Sequence, residues 1–272
     1  PLRAKYFASH HNKPVLAMSG KFHTTWGEFG GFKHPDAIRY EAASMIAFGA
    51  RCSFGDQLHP LGRMDEATYR NIGHAYRYIE KIEEYGLDGR PCSNLGLVPC
   101  HTGNHDQGVA NMLLESQTDF EVADLADDLE RFDTLILTGG RFLDGNRAAL
   151  LSQFIRRGGG LVALGESLLH PQTGKMMLDA GVRYQGPARY DIDYLVAGQK
   201  LSRGLVSAPF LCYNAAPRFK ASGNAKILAR IHEPYFSRTY GKYCSHQNTP
   251  YRMEPANHIG ASQKGRILFF AH

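Results

Sequence analysis

The stretch DTLILTGGRFLDGNRAALLSQFIRRGGGLVALGES, Asp133 to Ser167, decides how this chain is read. Asp133 to Thr138 is a short, continuous apolar run rich in β-formers, closed by Gly139-Gly140. Such a run reads as a strand buried on both faces. Arg147 to Arg157 places apolar residues at helical spacing and stops at Gly158-Gly159-Gly160. Leu161 to Leu164 is the next buried strand. Strand, helix and strand with short links form the unit of a doubly wound parallel sheet.

Working upstream, Phe120 to Val122 reads as a weak strand, Gly108 to Glu115 as a helix and Asn94 to Val98 as a first strand. Downstream, Ala225 to Ile231 and Arg266 to Ala271 read as strands, with a long polar and aromatic segment between them. Before Asn94 the segment GLDGRPCS, Gly86 to Ser93, is crowded with turn formers and marks a domain boundary. The expected division is residues 1–86, a linker over 87–93, and an α/β domain over 94–272.

The first segment alternates in the same way. Pro14 to Met18 reads as a strand, followed by the Gly-rich loop HTTWGEFGGFK, His23 to Lys33. A helix is expected from Pro35 to Phe48, with Gly49 past its end. A second strand follows over Ala50 to Phe54. Asp65 then caps a helix to about Tyr85, whose apolar residues Tyr69, Ile72, Tyr76, Ile79 and Ile82 recur at spacings of three and four.

Composition narrows the function classes. The 272 residues carry a net charge of +5 with Lys and Arg scattered, which offers no basic stripe for nucleic acid. No apolar run approaches the length of a membrane span. The five cysteines form no CxxC pair and the thirteen histidines no HExxH, so neither a metal site nor a disulfide framework is expected, and a cytoplasmic location fits. Neither the glycine pair nor the glycine triplet matches a phosphate-binding fingerprint. The chain opens at Pro1 without Met and closes at His272 directly after an expected strand, from which both ends are expected to be cut.

Chemistry is expected in the loops that follow the first two strands. Active sites of β/α barrels sit at the C-terminal ends of their strands. Trp26, Glu28, Asp56 and His59 all occupy such loops, with His23 close by. An indole face suits the C–H face of a sugar ring. Glu28, between Trp26 and Phe29, is the candidate general acid/base, and desolvation by those rings is expected to raise its pKa. Asp56 and His59 are candidate contacts to substrate hydroxyls, or Asp56 serves backbone amides of its own turn. In the segment Pro234 to Arg252, Tyr240 and His246 are further candidate substrate contacts, the alternative being a structural aromatic cluster.

The runs KFHTTWGEFGGFK, GARCSFGDQLHPLGRMD and DEATYRNIGHAYRYIEKIEEYG resemble the closing β/α units of α-L-fucosidase-type glycoside hydrolases. The matching positions are Trp26-Gly27, then Gly49 to Asp56, then Pro60, Gly62 and Asp65. The part from Asn94 onward, including RAALLSQFIRRGGGLVALGES, resembles the β-galactosidase trimerisation domain that follows such barrels. The resemblance implies the C-terminal units of a TIM-type (β/α)8 barrel, then a flavodoxin-like domain akin to glutamine amidotransferases. It also implies a retaining α-L-fucosidase that needs no cofactor, acts on a carbohydrate and assembles as a trimer. In that family the nucleophilic Asp follows a mid-barrel strand, in a part that would precede Pro1. A β-galactosidase-like glycosidase is one alternative, and a non-catalytic oligomerisation module with a vestigial sugar site is another. Amidotransferase chemistry is not expected, because the turn Ala163 to Ser167 carries no Cys.

Overall fold

A computed structural model describes residues 2–10, 13–87, 89, 91–102 and 104–272. Of the expected linker, Asp88 and Arg90 lie outside the described residues. The chain divides into two compact units, Pro1–Cys92 and Ser93–His272.

The first unit contains α1 (Leu2–His10), β1 (Val15–Gly20), α2 (Pro35–Ala47), β2 (Ala50–Gly55) and α3 (Glu66–Gly86). Strands β1 and β2 pair in parallel, from Val15 opposite Ala50 to Gly20 opposite Gly55. The helices start where their caps dictate. His34 accepts from the Asp36 N–H ahead of Pro35, and Asp65 accepts from the Ala67 N–H ahead of α3. Gly49 leaves α2 with φ +78, a conformation that favours glycine. Ala42, Ile46 and Ile79 form the buried seam of α2 and α3, against which Cys52 and Phe54 of β2 pack. Strand residues alternate faces, so Leu16, Met18, Arg51 and Ser53 share the face opposite those helices. On it Leu16 and Met18 remain 63% and 61% exposed. Helix α1 was not expected, since LRAKYFASH carries no apolar stripe. Two parallel strands close no barrel; what this unit presents is a pair of β/α units.

The second unit is built on a nine-stranded sheet. Its parallel part consists of β3 (Leu95–Val98), β4 (Glu121–Val122), β5 (Thr134–Leu137) and β6 (Gly160–Leu164), with α4 (His105–Glu115) after β3 and α5 (Gly145–Arg156) after β5. The remaining strands are β7 (Val182–Gly186), β8 (Asp193–Ala197), β9 (Phe210–Cys212), β10 (Arg218–Ala221), β11 (Lys226–His232), β12 (Ile259–Lys264) and β13 (Ile267–Phe270). Strand order across the large sheet is β4-β3-β5-β6-β13-β12-β11-β8-β9. The first five are parallel and follow the 2-1-3-4-5 order of flavodoxin-like sheets. The doubly wound expectation for residues 94–164 is therefore met. It fails beyond residue 164, where β13 returns to pair with β6 and the sheet continues antiparallel through β12, β11, β8 and β9. Strands β7 and β10 form a separate antiparallel pair.

Leu135, Leu137, Leu151, Leu161, Phe219 and Phe269 are all but inaccessible and belong to one core. Phe219 and Phe269 meet edge to face at 4.7 Å. Burying each such side chain contributes about 1.5–3 kcal/mol. The antiparallel half is pinned by a buried ion pair: Arg218 donates from Nη1 and Nη2 to the two oxygens of Asp193, each at 2.8 Å. Their side chains are 5% and 0% exposed. Asp193 Oδ2 also accepts from the Ala216 N–H. Removing one partner strands the other charge in the core. Arg218→Leu is expected to lower unfolding free energy by about 3–5 kcal/mol in urea titrations; a loss under about 1 kcal/mol would show that the clamp contributes little.

Candidate functional site

Strands β1 and β2 end side by side on a glycine pair, Gly20 opposite Gly55. The loop after β1 is sewn to that edge. The Lys21 N–H donates to Gly55 O at 3.1 Å, and the Lys33 N–H donates to Lys21 O at 2.8 Å. Within it Trp26 folds back over the strand ends. A Cβ on Gly55 would stand 2.5 Å from Trp26 Cη2, and one on Gly20 would stand 2.5 Å from Phe22 Cδ2 and 3.0 Å from Trp26 Cζ3. No side chain fits there, so the sequence has glycine at both positions. Buried Phe22 supports the indole edge to face at 4.9 Å. Trp26 nevertheless remains 64% exposed. An aromatic face this open, backed by rigid strand ends, is a ready platform for a flat apolar ligand face.

Glu28 lies in the same loop, but its environment opposes the expected raised pKa. Its Oε1 accepts from the Thr24 N–H at 2.6 Å. That backbone hydrogen bond is the main cause holding the carboxyl below the usual glutamate range. Burial opposes it, and the His23 and Thr25 N–H groups and the His23 charge add to it. Trp26 turns to the strand ends, and the loop's own amides turn on the carboxylate. Glu28 is thus an ionised staple of its loop, suited to a base or a charge-stabilising group and not to a general acid. His23 is exposed beside it.

Asp56 and His59 come together in one cavity of about 350 Å³, which Lys21, Phe29, Gln57 and Met64 also line. Asp56 Oδ1 accepts from the Gln57 N–H at 2.8 Å, so one oxygen does serve its own turn. Its Oδ2 is shielded from solvent and has no hydrogen-bond partner among the described residues. His59 Nδ1 accepts from the Leu61 N–H at 3.2 Å, and its ring stands 6.0 Å from that of Phe29. The cavity contains two residues that sequence reading missed, Lys21 and Gln57. A lysine after glycine in a polar loop reads as solvated, whereas the fold leaves Lys21 only 2% exposed. A second missed group braces the loop from beneath. Lys33 Nζ donates to Ser19 Oγ and to both Glu41 oxygens at 2.9 Å.

Tyr240 and His246 belong to the second unit. Tyr240 is fully exposed at a turn closed by the Thr239–Lys242 bridge, and lines an open hollow with Arg238 and Tyr243. His246 is exposed and does not line that hollow. The segment Pro234 to Arg252 is tied at its base by a bridge between Pro234 and Tyr251. At the turn after β6, Ser167 is fully buried and Glu166 pairs with Arg141 at 2.5 Å, leaving no exposed nucleophile. All five cysteines are free, and no helix among the described residues is long and apolar enough to cross a membrane.

The chain is similar to solved structures of glycosidases. In particular, it is similar along its whole length to α-L-fucosidase isoenzyme 2 from Paenibacillus thiaminolyticus. Identity is 33% and the TM-score 0.87, covering 100% of this chain and 42% of that one. The resemblance to α-L-fucosidase-type glycoside hydrolases expected from the motifs is therefore shown. The fold also matches the cold-adapted β-galactosidase from Rahnella sp. R3, at 14% identity and TM-score 0.71 over 99% of this chain and 44% of that one. The β-galactosidase from Bacillus circulans sp. alkalophilus follows at 12% identity and TM-score 0.69, over 95% and 42%. The chain thus spans less than half the length of each. No family model and no curated protein sequence matches it.

The Glu28 assignment predicts a side-chain titration midpoint below the ordinary glutamate value of ~4.3. Since the folded value lies below the unfolded one, the stabilisation is complete above about pH 4.3 and is lost as pH falls through the folded midpoint. Carboxyl chemical shifts followed by NMR, with Glu28→Gln to assign the signal, should show this; a midpoint above ~4.3 would restore the acid role.

Proposed function

We propose that this chain is the C-terminal part of a retaining glycoside hydrolase whose substrate is an α-L-fucoside. In this reading the first unit supplies the closing β/α units of a (β/α)8 barrel. The second is an assembly domain of the β-galactosidase trimerisation type, gathering three copies. The barrel reading is supported by the exposed Leu16 and Met18 on the face away from α2 and α3, where a closed barrel would bury them in its interior layers. The fucoside reading rests on the 33% identity to a fucosidase, against 14% or less to the β-galactosidases.

The observation that carries the hydrolase reading is the open indole of Trp26, braced on Gly20 and Gly55 at the C-terminal strand ends. A pyranose stacks its C–H face there, with its anomeric carbon directed at carboxylates around the barrel axis. Retaining hydrolysis needs two carboxyl groups flanking the scissile bond. Glu28, held ionised by the loop amides, is suited to stabilise the oxocarbenium-like transition state. Nucleophile and general acid are assigned to no residue of this chain. In this reading His23 and His59 hold sugar hydroxyls.

A panel of 4-nitrophenyl glycosides, offered to the full-length enzyme that contains this chain, tests this. The α-L-fucoside should be cleaved, with the β-D-galactoside a poorer substrate. Trp26→Ala should lower kcat/KM by about 10- to 100-fold, the loss expected when an apolar face goes uncovered. Cleavage of no glycoside, together with a trimeric mass in solution, would favour the non-catalytic assembly module.

A further inference from the structure

The residues that directly follow the glycine pair are Lys21 and Asp56, one at the end of each strand. Both line the cavity of about 350 Å³ beside the loop, within the ~300–1,000 Å³ range of small-molecule sites. Lys21 is 2% exposed, yet its ammonium makes one long hydrogen bond among the described residues, to Glu28 O at 3.4 Å. It lies 4.4 Å from the Phe32 ring centroid and 5.4 Å from that of Phe22. An ammonium has three donors, so this one retains spare capacity. In the same cavity Asp56 Oδ2 and Gln57 Oε1 are shielded from solvent and accept from nothing. Buried polar atoms normally find partners, and a donor with spare capacity beside unpaired acceptors marks a place where a ligand completes the set.

The required ligand follows from the signs. Two cations, Lys21 and Arg63, and two carboxylates, Asp56 and Asp65, line the cavity, so an anion would meet the carboxylates and a cation would meet Lys21 and Arg63. A neutral group that both donates and accepts satisfies both, which describes a hydroxyl. We infer that Lys21, Asp56 and Gln57 form a hydroxyl-recognition subsite for adjacent ring hydroxyls of a neutral monosaccharide unit. One hydroxyl accepts from Lys21 Nζ and donates to Asp56 Oδ2. Its neighbour donates to Gln57 Oε1. Phe29 and Met64 supply the apolar lining along the ring edge. This rests on the glycosidase reading and names the residues that select the sugar within it.

The test is calorimetric titration of the purified protein with L-fucose, its monodeoxy derivatives and D-glucose. Removal of one particular hydroxyl should weaken binding to the natural protein at least ~10-fold, because the subsite's polar atoms are then left unpaired. Lys21→Met and Asp56→Asn should weaken L-fucose binding by a similar factor and abolish discrimination against that deoxy sugar. Gln57→Leu should do the same for the neighbouring hydroxyl, and serves if Lys21→Met does not fold. Variants that fold, bind L-fucose within about twofold of the natural protein and keep the same discrimination would overturn the subsite. If they also still cleave the aryl fucoside, the hydrolase reading survives that result. A natural protein that neither binds any of these sugars nor cleaves any glycoside would overturn both.

Discussion

The end of the β1–β2 pair tolerates only one arrangement. The indole of Trp26 lies where a side chain on Gly55 would have to be, and the Phe22 ring that supports it lies where one on Gly20 would be, so the loop folds back over two strands that both end in glycine. Everything proposed for this surface follows from that contact. With the indole seated, the loop closes through Lys21 and Lys33 backbone bonds, and its amides converge on Glu28. The next residue on each strand, Lys21 or Asp56, is then delivered to one cavity. A platform, an ionised carboxylate and a set of hydrogen-bonding groups thus share one origin.

The second unit obeys a different constraint. Its sheet is completed by β13, drawn from the end of the sequence and placed beside β6 in the middle of the strand order. Parallel and antiparallel halves meet at that strand. The antiparallel half depends further on the Arg218–Asp193 pair, since β8 and β10 lie in different sheets and share that buried contact. Pairings so distant in sequence are slow to form, and they make the unit cooperative once formed.

Much of this was legible in the residues. Long periodic stretches such as Glu66–Gly86 and continuous apolar strands such as Thr134–Leu137 declare themselves, and so did the caps at Asp65 and Gly49. Strands β7, β8, β9, β10 and β12 did not. They are short, carry mixed residues such as VRYQG and RFKA, and owe their state to sheet partners instead of local pattern. In the loops after β1 and β2, position beyond a strand end singled out Trp26, Asp56 and His59 as candidates. Sequence reading misjudged Glu28, because neighbouring rings are visible in sequence while the direction of the loop's amides is not. It passed over Lys21 because burial of a polar loop residue is decided by how the loop folds back.

Trp26 is the only tryptophan of the chain, so its fluorescence reports on the platform without labelling. The most direct measurement is emission from the 272-residue chain during titration with L-fucose. A saturable blue shift, as a sugar ring covers the exposed face, is the predicted result. Emission unchanged by L-fucose, while a denaturant still shifts it, would contradict the platform and the hydrolase reading built on it.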